Sequence, residues 1–340
     1  LRNPLDAGPL VRALAAYREP KPVRSVVEIA ITALPFAGLW ALSWFVYAEG
    51  WWWALAVTTP AAAAFLVRLF MIQHDCGHGA LFKNRLANDW IGRVIGVLTL
   101  TPYDYWRKTH AVHHGTSGNL DRRELGSIEL LTVAEYERRS PWRRFLYRFY
   151  RHPAVLFLVG PAYMFILQHR LPIGLMKQGW RPWLSAMATN AAILAASALT
   201  MWATGVGAFF AVHLPILLIA SGAGVWLFYV QHQFEATTWS REGEWNLQEA
   251  ALHGSSHYDL PWLLRWFTAN IGVHHVHHVN SRIPYYRLPE VLRDHPCLKA
   301  VGRVTLWQSL QCMRLALWDE ASRRMISFHE FAQLRRLAPA

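Results

Sequence analysis

Residues 51 to 78 read WWWALAVTTPAAAAFLVRLFMIQHDCGH, an apolar run with a pair of histidines directly behind it. As a helix the run over 51–72 is long enough to cross about 30 Å of hydrocarbon, and Trp51, Trp52 and Trp53 at its start are residues that favour the membrane interface. Upstream, residues 26–48 (VVEIAITALPFAGLWALSWFVYA) form a second run of spanning length, with one early carboxylate, Glu28, and a kink-forming Pro35. The two are joined by Glu49-Gly50, so they make a hairpin. Downstream, 184–204 and 207–230 are again apolar and separated only by a tight turn, which makes a second hairpin.

The chain has 340 residues, of which 53% are hydrophobic and 16% charged. It is too apolar for two ordinary soluble domains and too charged to lie wholly in lipid. The expected fold is therefore an all-α integral membrane protein: two transmembrane helical hairpins, four spans in all, with a helical cap in water. The turns at 49–50 and 205–206 carry no Lys or Arg, whereas 1–25, 83–151 and 281–336 are rich in Arg. The positive-inside rule then puts both turns outside and the long segments, with both termini, in the cytoplasm. Residues 1–25 are expected as an N-terminal cytoplasmic segment, and 301–340 as cytoplasmic amphipathic helices, since LWQSLQCMRLALW (306–318) repeats its apolar residues at helical spacing. The stretch 153–168 is apolar but short and broken by Gly160-Pro161, and reads as interfacial or re-entrant.

A net charge of +12 fits nucleic acid, anionic lipid or an acidic protein. In so apolar a chain membrane lipids and an acidic protein are the expected partners, and no nucleic acid. Cys76, Cys297 and Cys312 are too far apart for a CxxC zinc site or a dense disulfide framework.

The 17 histidines are the chemical signal. His74 and His78 share one helix face at the end of the second run, but chance alone yields an HxxxH pair ~0.8 times in a chain of this histidine content. His110, His113 and His114 form HxxHH, and His274, His277 and His278 form it again. Chance yields that pattern only ~0.04 times per chain, so composition does not explain two copies. On a helix, positions i, i+3 and i+4 lie on one face, so each triplet is expected to present its imidazoles to a common point. His232 ends the fourth run and is a ninth candidate. Eight or nine imidazoles exceed what one ion takes, so two metal ions are implied. Imidazole suits zinc, copper, iron and nickel alike, and the carboxylate-rich pattern of soluble di-iron bundles is absent.

In order and spacing, HDCGH (74–78), HAVHH (110–114) and HHVHH (274–278) resemble the three histidine boxes of the membrane fatty acid desaturases. The flanks, Gln231-His232-Gln233-Phe234-Glu235 and Tyr258-Asp259-Leu260-Pro261 ahead of Asn270-Ile271-Gly272, look most like bacterial and cyanobacterial acyl-lipid enzymes of the omega-6 or delta-12 type. The resemblance covers roughly 26–300, the membrane desaturase domain. It implies a non-haem di-iron centre in the cytoplasmic cap, held by His74, His78, His110, His113, His114, His232, His274, His277 and His278. It further implies O2 as co-substrate, an external ferredoxin-like or other electron carrier, and a bacterial inner membrane location. The activity implied is the introduction of a cis double bond into a lipid-linked fatty acyl chain.

An unactivated methylene cannot be broken by side-chain acids and bases, so the hard step belongs to a redox metal and O2, while the protein positions the chain and excludes water. Trp90, Tyr105, Trp106, Trp226 and Tyr229 are candidates for lining a bent apolar tunnel. Asp75, Asn270 and Asn280 flank the boxes and are candidates for orienting imidazoles through their second nitrogens. His253 and His257 read as surface or supporting residues, and His275 as pointing away from the metals. The alternatives are a hydroxylase or ketolase on the same scaffold and, more remotely, a metal transporter. A transporter should carry ionisable residues along a path inside its spans, where His213 is the only deep histidine.

Overall fold

The computed structural model describes residues 7–123 and 125–337; Glu124 and the outer ends of the two terminal segments, 1–6 and 338–340, lie outside the described residues. The helices that build the molecule are α1 (Pro22–Ala48), α2 (Leu55–His78), α3 (Arg85–Leu98), α4 (Tyr103–Thr116), α5 (Pro141–Tyr150), α6 (Trp180–Thr204), α7 (Val206–His232) and α8 (His274–Val279). Four of them, α1, α2 with its preceding turn, α6 and α7, are long and apolar enough to cross a membrane. They form the two expected hairpins, and each helix outruns the apolar stretch that foretold it. The backbone ladder of α2 continues through the first histidine pair until Gly79, whose φ of +67° ends it. There Gly79 N–H reaches Cys76 O at 3.0 Å and Ala80 N–H reaches Asp75 O at 2.9 Å, a left-handed cap that glycine adopts without penalty. α7 likewise runs on to end at His232.

α2 is the central helix, with 56% of its most apolar window buried, whereas only 6% of that of α6 is. α1 is tied to α2 by a buried ion pair, Glu28 with Arg68, and by Ser43 Oγ donating to Thr58 Oγ1 at 2.9 Å. The pair does not stand alone: Arg68 also donates to Thr32 Oγ1 and Trp266 O, and Tyr285 Oη donates to Glu28 at 3.0 Å. Buried charges are tolerated when their remaining donors and acceptors are filled in this way.

Residues 155–170 are helical, with widened i→i+5 turns over Val155–Val159 and Tyr163–Leu167 on either side of Gly160-Pro161. The proline lacks the N–H that a regular ladder would use at that point. This segment packs on the end of α7, where Phe157 meets Trp226 and Tyr229 with ring centroids 5.0 and 5.3 Å apart.

The all-α expectation needs correcting. Five short strands occur among the described residues: β1 (Leu131–Thr132), β2 (His257–Asp259), β3 (Arg303–Thr305), β4 (Leu315–Asp319) and β5 (Arg324–Ser327). β4 lies between β1, parallel to it, and β5, antiparallel to it; β2 and β3 pair in parallel. The stretch expected to be one amphipathic helix divides into a helix over Leu306–Cys312 and the strand β4. Both faces of β4 are buried: Leu317 packs with Leu131, Tyr136 and Tyr147, and Trp318 with Leu120, Leu130 and Trp239. A strand buried on both faces reads as a continuous apolar run, which periodicity cannot separate from a helix.

Candidate metal centre

The histidines converge at the end of the bundle where α2 and α7 finish. α2 supplies His74 and His78, α4 supplies His110, His113 and His114, α7 supplies His232 as its last residue, and α8 supplies His274, His277 and His278. They sort into two groups, His74, His78, His110, His114 and His277 in one, and His113, His232, His274 and His278 in the other. Within each group the candidate ligand atoms all lie within 4.8 Å of one another.

The triplets do not meet at common points as expected. In each HxxHH helix the i, i+4 pair (His110 with His114, His274 with His278) serves one group, and the remaining histidine (His113 or His277) serves the other. Residues four apart are displaced by about 40° around a helix, whereas the third is displaced to the opposite side of that pair by about 60°. Each triplet thus straddles both centres, and the stacked rings of His114 and His278, 4.1 Å between centroids, adjoin the two.

The donor set fits metal ions. His110 Nε2 lies 3.1 Å from both His78 Nε2 and His114 Nε2, which is 3.2 Å from His277 Nε2. In the second group His232 Nε2 lies 3.0 Å from both His113 Nε2 and His274 Nε2. One ring nitrogen carries at most one hydrogen, so chains of mutually facing Nε2 atoms cannot all be satisfied by hydrogen bonds between imidazoles. With metal–nitrogen bonds of ~2.1 Å, neighbouring ligands stand ~3.0 Å apart in an octahedron and ~3.4 Å apart in a tetrahedron, which brackets the spacing. His278 Nε2 is also buried with no protein partner. Burial, followed by repulsion from neighbouring histidines, holds His110, His114, His277 and His278 well below the ordinary imidazole range, and the same causes act on His113 and His274. They are neutral at pH 7, as ligands must be.

Three second nitrogens are backed by protein, whereas His274 Nδ1 is buried without a partner. His74 Nδ1 faces Asp75 Oδ1 at 3.3 Å, His113 Nδ1 faces Ser127 Oγ at 3.5 Å, and His232 Nδ1 faces Ser117 Oγ at 3.4 Å and Gly254 O at 3.3 Å. Asp75 is buried and also accepts from Tyr285 N–H at 2.8 Å. Asn270 and Asn280 are placed otherwise: Asn270 Nδ2 donates to Tyr285 O at 3.4 Å, and Asn280 Oδ1 accepts from Arg18 at 3.0 Å. His275 turns away, with Nε2 on Leu298 O at 3.0 Å. His257 is buried rather than at the surface, its Nδ1 lying 2.7 Å from Lys299 O, while His253 is half-buried near Glu249.

Of the tunnel candidates, Trp106 touches the site, stacked on His110 with centroids 4.6 Å apart. Gly77 makes that possible, since a Cβ there would sit 2.9 Å from the Trp106 ring. Trp90 is exposed beside Arg93. The hydroxyl of Tyr105 donates to Ile173 O, that of Tyr229 to Cys312 O, and Trp226 Nε1 to Tyr258 Oη. None of the five lines either of two cavities. One, a recess with room for little more than a single water, borders the second group and is lined by His113, His232, Phe228, Ile128 and Trp239 among others. The other, the roomier of the two, lies among α1, α3, α6 and α7 and holds His213.

Ser117, Ser127 and Tyr285 carry no motif that sequence reading recognised. The one local hint is Gly126, whose φ of +76° and close approach to Thr109 O and His113 Cβ let the loop after α4 fold back over the histidines.

Residues 50–304 match the Fatty acid desaturase family. A "Fatty acid desaturase" of Bacillus subtilis (strain 168) is 41% identical over 321 residues, 94% of this chain and 90% of its own. An "sn-1 acyl-lipid omega-3 desaturase (ferredoxin)" of Synechocystis sp. is 28% identical, covering 79% of this chain and 74% of its own. The chloroplastic omega-6 fatty acid desaturase of Spinacia oleracea is 25% identical, covering 73% and 55%.

Proposed function

The chain belongs to the fatty acid desaturase family, a family of oxidoreductases, and from that premise we propose that it is an O2-dependent non-haem di-iron desaturase that introduces a cis double bond into a lipid-linked fatty acyl chain. The observation that carries the proposal is the sorting of nine histidines into a group of five and a group of four.

Two iron ions held there would supply the O2-dependent removal of two hydrogens from neighbouring methylenes, chemistry no side chain can perform. Overall, one O2, two electrons, two protons and a saturated C–C unit give an alkene and two waters. The chain's own residues supply the rest. His74, His78, His110, His114 and His277 would hold one ion, and His113, His232, His274 and His278 the other. Asp75, Ser117, Ser127 and the Gly254 carbonyl fix ring orientation from behind. Trp106 covers His110, and the burial of His74, His113, His232, His274 and His277 keeps bulk water from the site.

The arginine-rich segments follow the positive-inside rule, so the histidine end faces the cytoplasm of a bacterial inner membrane, with both termini on that side. A ferredoxin-like or other acidic carrier suits that basic face as electron donor; the names of two relatives print ferredoxin and cytochrome b5. Within 26–300, the segment 153–168 lies in or re-enters the interface.

Expression in a host lacking the activity, followed by gas chromatography and mass spectrometry of total fatty acids, tests the proposal. New unsaturated acids that vanish in His113→Ala, with about two iron per chain, are the expected result. Hydroxylated products, or no new product from iron-loaded protein with a working donor, would overturn it.

A further inference from the structure

We infer that α5 lies in the plane of the membrane interface and binds anionic phospholipid headgroups, a contact that stands apart from the desaturase chemistry. α5 starts with Pro141 behind Ser140, whose Oγ accepts from Arg143 N–H at 3.4 Å. One side of the helix is bound to the molecule: Tyr147 is buried, donates to Ala316 O at 2.6 Å and accepts from Leu131 N–H at 3.2 Å. Its other side is apolar and bare. Trp142, Phe145, Leu146 and Phe149, at i, i+3, i+4 and i+7, are 64, 55, 44 and 58% exposed. Four aromatic or aliphatic side chains in one stripe form a patch that marks an interaction surface.

Cations border that stripe. Arg138, Arg143, Arg144 and Arg148 form no ion pair with a described carboxylate. Arg138 and Arg144 spend Nε on the backbone carbonyls of Ala134 and Arg139, and Arg148 spends it on Tyr136 Oη and lies over the Phe328 ring, 5.0 Å from its centroid, whereas Arg143 is exposed with its guanidinium uncommitted. An apolar stripe with arginines at its edge is the composition of helices that lie on anionic bilayers.

The height of α5 agrees. Directly after it, Arg151 donates to Tyr229 Oη at 2.9 Å, and Phe157 packs on Trp226 and Tyr229. Trp226 and Tyr229 lie in the last two turns of α7, a helix long enough to span. α5 is therefore fastened at the level where α7 leaves hydrocarbon. The bare surface also continues beyond it, through Leu158, Val159, Tyr163 and Leu167, so it is continuous with the lipid-facing side of the bundle. A soluble acidic carrier would match the arginines but leave the aromatic stripe in water.

Hydrogen–deuterium exchange of the full chain tests this in nanodiscs of phosphatidylcholine alone and of phosphatidylcholine with phosphatidylglycerol, with α4 as internal reference. At low salt the amides of 142–150 should exchange at least about fivefold more slowly in the anionic discs, the effect of even one arginine at a charged surface, and high salt should erase the difference. Arg143→Gln with Arg148→Gln should abolish the charge dependence with α4 unchanged, whereas Trp142→Ser should lower protection in both discs. Equal exchange in the two lipids, or slowing produced only by an added acidic carrier protein, would overturn the inference. The comparison of lipids needs only the wild-type chain, so a variant that fails to fold leaves it decisive.

Discussion

Stripped of metal, the protein should lose stability steeply as the pH falls below about 6.5. His110, His113, His114, His274, His277 and His278 are each held well below the ordinary imidazole value of 6.5 by burial and by one another. Above that value both the folded and unfolded chains carry them neutral, and they cost nothing. Below it the unfolded chain takes up protons that the folded chain refuses, so acid favours unfolding. At ~pH 5.5 each group contributes at most about 1.4 kcal/mol to that imbalance, and six sum to about 8 kcal/mol, against a typical domain stability of roughly 5–15 kcal/mol. The assay is thermal unfolding in detergent followed by circular dichroism, on chelator-treated and iron-loaded protein at ~pH 7.5 and ~pH 5.5. The metal-free midpoint should collapse over that interval, while the loaded form holds out to lower pH because bound ions keep their ligands deprotonated. A metal-free midpoint that is the same at both pH values would refute the reasoning.

Adjacent histidines should behave differently: His274→Ala should forfeit the ion of the four-histidine group by elemental analysis. His275→Ala should retain both ions and lose only about 1–3 kcal/mol with its bond to Leu298 O, read as a lowered unfolding midpoint. Gly77→Ala drives a Cβ into the Trp106 ring and should cost about 1–3 kcal/mol together with weakened iron retention, measured by unfolding and by metal release to a chelator. Arg68→Met leaves the buried Glu28 carboxylate with Arg24 as its only cation among the described residues and should cost about 1–3 kcal/mol, and adding Glu28→Gln should recover part of it; equal midpoints for the single and double variants would contradict the pairing.

Much of this was legible before any coordinates. The hairpins follow from run length and the near absence of turn residues between runs, because lipid admits few alternatives to a helix. The histidine set followed from a pattern too rare for chance. Asp75 was legible through its adjacency to His74, but Ser117, Ser127 and Tyr285 reach the site from segments with no periodic signature, and Tyr285 meets Asp75 across 210 residues of chain. Where Asn270 and Asn280 stood near a box in sequence, their side chains were taken by Tyr285 and Arg18 instead.

By itself, then, the sequence determined the number of long helices, from run length, and the two HxxHH triplets, from their spacing, while His74, His78 and His232 joined them through the family resemblance. Only the tertiary structure decided how the triplets divide between the centres, because that depends on the rotation of α4 and α8 about their axes against α2 and α7. It also decided that Leu315–Asp319 is a strand, because a segment buried on both faces takes its secondary structure from the partner that satisfies its backbone, here Leu131–Thr132 and Arg324–Ser327.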